Sequence, residues 1–215
     1  MRTTKVVIAV VIASLLCGSA LWAEPTLKGY TGLLMVPTAE TLGDGDYHLG
    51  ISTGEDGDWE DFHYYGAFGI GNDTEVGLTM WRPRGAGNQT YLHAKRGMGI
   101  VGGADFAAGV FDLTGEDQTT VYAVATWEQG RVVGEVDDQS LFFVNLHAGL
   151  GAGMIDGIFA GVEFMLGPNV GIMAEWIDNG VNLGARLRPL DQLVLDAGLT
   201  DIDQLVVNVS YNRSF

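Results

Sequence analysis

From residue 158 to the end of the chain, apolar side chains take every second position in one segment after another. Ile158, Ala160, Val162, Phe164 and Leu166 oppose Phe159, Gly161, Glu163 and Met165, and Val170, Ile172, Ala174 and Trp176 oppose Gly171, Met173 and Glu175. Val181, Leu183, Ala185 and Leu187 oppose Asn182, Gly184, Arg186 and Arg188, while Leu193, Leu195, Ala197 and Leu199 oppose Val194, Asp196 and Gly198. In the last segment Leu205, Val207, Val209, Tyr211 and Phe215 oppose Asn208, Ser210, Asn212 and Ser214. A period of two means strands with chemically different faces, because successive strand side chains point to opposite sides. No long segment of the chain carries the i, i+3, i+4 stripe of an amphipathic helix.

Extended over the whole chain, this reading gives about twelve segments of seven to eleven residues, near 46–53, 62–70, 74–82, 89–98, 105–112, 119–129, 140–150, 158–166, 170–177, 181–188, 192–199 and 204–215. The first half alternates less cleanly, above all at 89–98 and 105–112. Gly71-Asn72-Asp73, Gly167-Pro168-Asn169 and Pro189-Leu190-Asp191 supply tight turns, each after an even-numbered segment. Even-to-odd turns fall at one end of an up-and-down barrel, the end where outer-membrane barrels keep connections short. The stretch from Gly130 to Gln139 breaks this pattern, being too long for such a turn. Trp81, Trp127 and Trp176 sit at segment ends, as aromatic girdles require.

Alternation alone does not say which face looks inward. A soluble barrel or sandwich points its apolar face to a core, and a membrane barrel points it to lipid. The front of the chain bears on this choice. Arg2 and Lys5 precede an apolar run from Val6 to Leu16 and then small residues, so 1–23 reads as a secretory signal peptide with cleavage expected after Ala23 or Ala20. An eleven-residue core is too short to span a bilayer as a helix. The single cysteine, Cys17, would leave with the signal, removing any disulfide framework or thiolate metal site. Without Arg2 and Lys5 the chain keeps nine of its 11 basic residues against 27 acids, a formal charge of −18. That sign excludes nucleic acid as a partner.

At the other end, Tyr211 and the terminal Phe215 resemble the C-terminal signal read by the barrel-assembly machinery of Gram-negative outer membranes, although Arg213 stands where that signal has an apolar residue. Together these features lead to an all-β fold: an antiparallel transmembrane β-barrel of about 12 strands, with 10 to 14 open. The expected organisation is a signal peptide over 1–23, a non-barrel segment over 24–45 and a barrel over 46–215 in the cell outer membrane. The rival is a soluble periplasmic barrel or sandwich.

Ahead of the first strand stands Gly29-Tyr30-Thr31-Gly32-Leu33-Leu34-Met35-Val36-Pro37-Thr38-Ala39, followed by Gly45. This pattern resembles the N-terminal motif of the YjbH-like family of outer-membrane proteins tied to exopolysaccharide production, carried here by Gly29, Gly32, Leu33, Pro37, Thr38 and Ala39. Glu175-Trp176, with Asn182, Gly184 and Arg186, is similar to that family's later strands. The resemblance implies an accessory role in surface-polysaccharide production, with polysaccharide-export proteins as partners beside membrane lipid and the assembly machinery. Physically, Pro37 has no N–H for a ladder and the glycines permit unusual backbone angles. Residues 26–45 are therefore expected to form an ordered segment tucked into or under the lumen.

The inward faces carry Glu75, Lys95, Glu128, Glu163, Glu175, Arg186, Arg188 and Asp196. Charges in a narrow barrel must be paired or hydrated, so Glu163, Glu175 and Arg186, on three successive segments, are expected to cluster and, with Arg188 and Asp196, to close the lumen. His48, His63, His93 and His147 lack the serine spacing of the outer-membrane phospholipases, and His147 beside Asn145 reads as a lumenal hydrogen-bonder, so no enzyme is expected. The acidic loop at 55–61 lacks the spacing of an EF-hand, and no metal or other cofactor is assigned. The functional expectation is a small outer-membrane barrel with a structural or accessory role; the alternative is a passive, porin-like diffusion channel.

Overall fold

The computed structural model describes residues 23–54, 61–82, 87–129, 135–136, 139–140 and 142–214. The proposed signal peptide (but for Ala23), the acidic loop (but for Asp61) and Phe215 lie outside these residues. The strands are β1 (Tyr47–Thr53), β2 (Phe62–Gly69), β3 (Thr74–Arg82), β4 (Gln89–Val101), β5 (Ala104–Phe111), β6 (Thr120–Gln129), β7 (Glu135–Val136), β8 (Gln139–Ser140), β9 (Phe142–Ala152), β10 (Gly157–Leu166), β11 (Val170–Ile177), β12 (Gly180–Leu190), β13 (Leu193–Thr200) and β14 (Gln204–Arg213).

All but β7 and β8 form a closed barrel in the order β1-β14-β13-β12-β11-β10-β9-β6-β5-β4-β3-β2. Every pairing in it is antiparallel, and Tyr47 opposite Arg213 helps close the seam between β1 and β14. The expected twelve-stranded antiparallel barrel is the observed one. Of the long connection before β9, the described residues are β7 and β8, which pair with one another as a separate two-stranded sheet outside the barrel.

Local chemistry sets the corners. Gly102-Gly103, at φ 62° and 84°, and Asp178-Asn179, at φ 52° and 65°, are two-residue turns in the left-handed region that tight hairpins require. Pro189 falls inside β12 rather than in a turn, where the register shifts between Leu187 and Leu190, so its missing N–H interrupts a ladder already broken.

The polarity of the wall is inverted relative to a soluble barrel. Leu49, Leu150, Ile158, Leu183, Leu187 and Leu205 point outward and are exposed, whereas Glu75, Lys95, Glu175, Arg186, Asp196 and Asn208 are buried on the inner face. Trp176 is exposed on the outer face. Trp81 is not part of an outer girdle: it shares inward parity with Glu75 and Thr79 and lies half-buried against Tyr91 and His63.

The lumen is filled by the N-terminal segment, here called the plug. Every residue from Glu24 to Ala39 is buried. The plug folds back on itself twice, with bridges Pro25–Thr31 and Gly32–Pro37, and bonds from Thr26 N–H to Tyr30 O (2.7 Å) and from Leu33 N–H to Val36 O (2.9 Å). Its Leu27, Leu33, Leu34 and Val36 form one apolar cluster with Tyr122, Phe159, Met173 and Val206 of the wall.

Wall glycines make the seats for this packing. A Cβ on Gly184 would come within 2.7 Å of Leu34 Cδ1, and one on Gly161 within 2.6 Å of Leu33 Cδ1. Gly184 and Gly198 are direct register partners on β12 and β13, so both vacate space beneath the same leucine. Glycine inside these strands thus marks close approach of the plug.

Candidate functional site

The polar side chains of the inner wall converge on the plug. Arg186 sits opposite Asp196 in the β12–β13 register. Its Nε donates to Asp196 Oδ1 at 2.7 Å and its Nη2 to Oδ2 at 3.2 Å, the two-pronged pairing that suits a planar guanidinium. The remaining donors reach the plug carbonyls of Gly32 (3.3 Å), Pro25 (3.3 Å) and Leu33 (3.4 Å). Glu163 joins as a longer ion pair to Nη1 at 3.8 Å. Gly171, between them on β11, leaves the opening: a Cβ there would lie 3.1 Å from Glu163 Oε1 and 3.6 Å from Arg186 Cβ.

Glu175 does not join this cluster, contrary to the sequence expectation. The reason is register. On β11 the residue opposite Arg186 is Gly171, and Glu175 lies four residues further along, opposite Asn182. At about 3.3 Å of rise per residue that offset puts it more than ~10 Å away along the strand. There its carboxylate takes the backbone N–H of Met35 (3.0 and 3.1 Å) and of Val36 (3.0 Å), with Asn182 Nδ2 at 3.1 Å. Sequence placed the residue on the correct face and gave it the wrong partner.

Arg188 also stands apart, near the end of β12. Its Nε meets Glu24 Oε1 at 2.6 Å, and Nη1 donates to Pro168 O at 2.9 Å. Asn212 holds the other oxygen of Glu24 at 2.7 Å. This group pins the start of the plug near the same rim as the barrel's last strand.

A second centre is formed by Glu75 and Lys95, opposite one another on β3 and β4 with Nζ–Oε1 at 3.4 Å, both fully buried. Glu75 accepts from Thr31 N–H and Leu42 N–H, both at 3.1 Å. Lys95 donates to Thr31 O (2.9 Å) and Thr38 O (3.2 Å). Further anchors come from His48 and from three hydroxyl residues, Ser52, Thr79 and Thr126, that carry no motif in the sequence. His48 Nε2 lies 2.8 Å from Gly29 O, Ser52 Oγ donates to Leu27 O at 2.5 Å, Thr79 Oγ1 donates to Lys28 O, and Thr126 Oγ1 accepts from Ala39 N–H at 2.9 Å. Their inward parity, shared with the charged residues, was the available signal. His147 is a lumenal hydrogen-bonding partner, with Nδ1 2.9 Å from Thr126 Oγ1.

The motif residues all lie in the plug. Gly29, at φ 84°, packs on Tyr65, and Gly32 lies against the Val36 carbonyl where a side chain would collide. Leu33 enters the apolar cluster, Pro37 pairs in the bridge with Gly32, and Thr38 and Ala39 receive the Lys95 and Thr126 contacts. Tyr211 is exposed on the outer face of β14, paired across to Leu49.

Outside the strands, the 112–119 loop is organised by one carboxylate. Asp112 accepts from Thr114 Oγ1 (2.6 Å), Glu116 N–H (3.1 Å) and Asp117 N–H (2.9 Å). Burial pushes its pKa up, but these donors, with Gly115 N–H, outweigh that and hold it below the usual aspartate value.

The geometry serves retention, since wall charges are matched to plug backbone groups. No family model and no curated protein matches the sequence. Among solved structures the chain is similar to a KdgM porin, with a TM-score of 0.50 and 10% identity over 79% of this chain and 99% of the porin. A second match, KdgM porin in complex with disordered oligogalacturonate, has a TM-score of 0.47 and 11% identity over 79% of this chain and 98% of that one. At this identity the likeness is one of fold.

Proposed function

We propose that this chain is a porin-type barrel of a Gram-negative outer membrane whose lumen is held shut by its own N-terminal plug. The carrying observation is the inverted wall: an outer face of exposed leucine, isoleucine and valine around a buried, charged inner face. An apolar surface of that extent is unsuited to water and suited to lipid, which makes membrane lipid the first partner. The porin fold of the structural neighbour supports a channel more than an accessory role. A resting channel of this design conducts little, because the plug fills the bore.

Cell fractionation with gel mobility measured before and after heating tests the location. Recovery with outer membranes and a heat-dependent shift is expected; a soluble periplasmic protein without a shift would overturn the reading. A second reading, an accessory role in surface-polysaccharide production, rests on the motif resemblance, whose residues build the plug. It is tested by whether deleting the gene lowers exopolysaccharide yield.

A further inference from the structure

The two cationic centres of the bore, though both also bond the plug backbone, have their counter-charges on the wall itself. Lys95 pairs with Glu75, and Arg186 with Asp196 and Glu163, all of them residues of wall strands. Glu175 differs. Among the described residues no cation lies within ion-pair distance of it, and apart from Asn182 its hydrogen-bond donors belong to the plug: the consecutive N–H groups of Met35 and Val36. Successive backbone N–H groups converging on one anion form a compact anion-binding nest. The plug tip itself, Leu33-Leu34-Met35-Val36, has no charged side chain, so this is its one charge-assisted tie to β11.

We propose that Glu175 is the latch that holds the plug tip and, once the tip is displaced, the residue that makes the bore prefer cations. This rests on the channel reading above. The strand-borne buried charges are Glu75, Glu163, Glu175 and Asp196 against Lys95 and Arg186. Even with Arg188 at the rim the acids outnumber the bases, and Glu175 is the acid left with no counter-charge when Met35 and Val36 move away. A ring of wall charge with an uncompensated carboxylate in a confined bore attracts cations and repels anions. The occupants favoured by such a bore are small cations and cationic or neutral solutes, with acidic oligosaccharides disfavoured.

The test is single-channel recording of the full-length protein in planar bilayers under a KCl gradient. Three variants are needed: Glu175→Gln, which is nearly isosteric; Gly32→Val, which unseats the plug by a clash with the Val36 carbonyl and leaves the wall untouched; and the double variant. Heat-modifiable gel mobility confirms that each barrel is formed. Glu175→Gln is expected to raise the open fraction about tenfold or more, as loss of hydrogen bonds to a charged group implies. Gly32→Val openings should favour K⁺, and the double variant should lose most of that preference. An open fraction unchanged in Glu175→Gln, anion-preferring openings in Gly32→Val, or equal selectivity in Gly32→Val and the double variant would overturn the proposal. If Gly32→Val barrels are electrically silent as well, the channel reading falls together with it; if they conduct, only the role of Glu175 is at stake.

Discussion

The wall and the plug satisfy the same backbone chemistry by different means. In the wall, each strand's N–H and C=O groups pair with a neighbouring strand, and the side chains are free to divide into a lipid face and a lumenal face. The plug has only two isolated bridges of its own. Beyond the turn bonds within the segment itself, its backbone groups reach side chains of the wall: carbonyls to Arg186, Lys95, Ser52 and Thr79, N–H groups to Glu75, Glu175 and Thr126. Buried backbone groups must be paired somewhere. The lumenal charges therefore act as a substitute ladder for an irregular segment, and the comparison separates residues that build the barrel from residues that close it.

The sharpest break in that comparison is Arg186, which belongs to both regions. Arg186→Ala leaves Asp196 and Glu163 without their cation and frees three plug carbonyls. Loss of one partner of a buried ion pair costs about 3–5 kcal/mol, whereas Asp191→Ala at an exposed turn should cost almost nothing. The temperature of the heat-dependent gel shift should fall for the first variant alone, and equal values would refute the division.

A substitution confined to the wall's outer face comes next. Leu183 is 43% exposed on that face, so Leu183→Lys should cost about 2–4 kcal/mol in a bilayer if it lies near the midplane. The variant should insert poorly and yet leave the plug contacts alone. Unchanged insertion would argue that Leu183 does not meet lipid.

Gly29→Val acts on the plug alone. Its φ of 84° and the Tyr65 side chain beside it leave no room for a branched residue. Such strain is worth about 1–3 kcal/mol, and it should appear as protease sensitivity within 24–46 while the barrel keeps its gel shift. Loss of the barrel itself would show that plug and wall do not separate.

The smallest effect belongs to the rim. Because the folded pKa of Asp112 lies below the ordinary 3.8, its stabilising contribution is fully present above about pH 4 and is lost as pH falls through the lower folded value. Acid should loosen the 112–119 loop in the parent protein, while Asp112→Asn removes that dependence; a loop with the same acid response in both would contradict the assignment.

Strands were legible where inward residues are polar or small. Val181, Leu183, Ala185 and Leu187 against Asn182, Gly184 and Arg186 could be read directly. In the first half β2 and β4 place Tyr65, Tyr91 and His63 inward, so both faces look aromatic or apolar and the alternation blurs. Parity would have placed Trp81 with Glu75 and Thr79; its position at a segment end was the misleading cue. Glu175 was put on the correct face, but its partner depended on the stagger between strands, which a single strand's pattern does not contain. The plug's place was suggested by Pro37 and the glycines. Its anchors Ser52, Thr79 and Thr126 carried no signal beyond facing inward.

The central claim is that the plug occupies the lumen and is tied to wall side chains. Amide hydrogen exchange of the micelle-embedded protein, followed by NMR, tests it most directly at Thr31, Met35, Val36, Ala39 and Leu42, whose N–H groups donate to Glu75, Glu175 or Thr126. These amides should exchange as slowly as those in the middle of β11 and β12. Exchange at the rate of an unfolded chain, with the strand amides still protected, would show that the lumen is not closed by its own N-terminal segment.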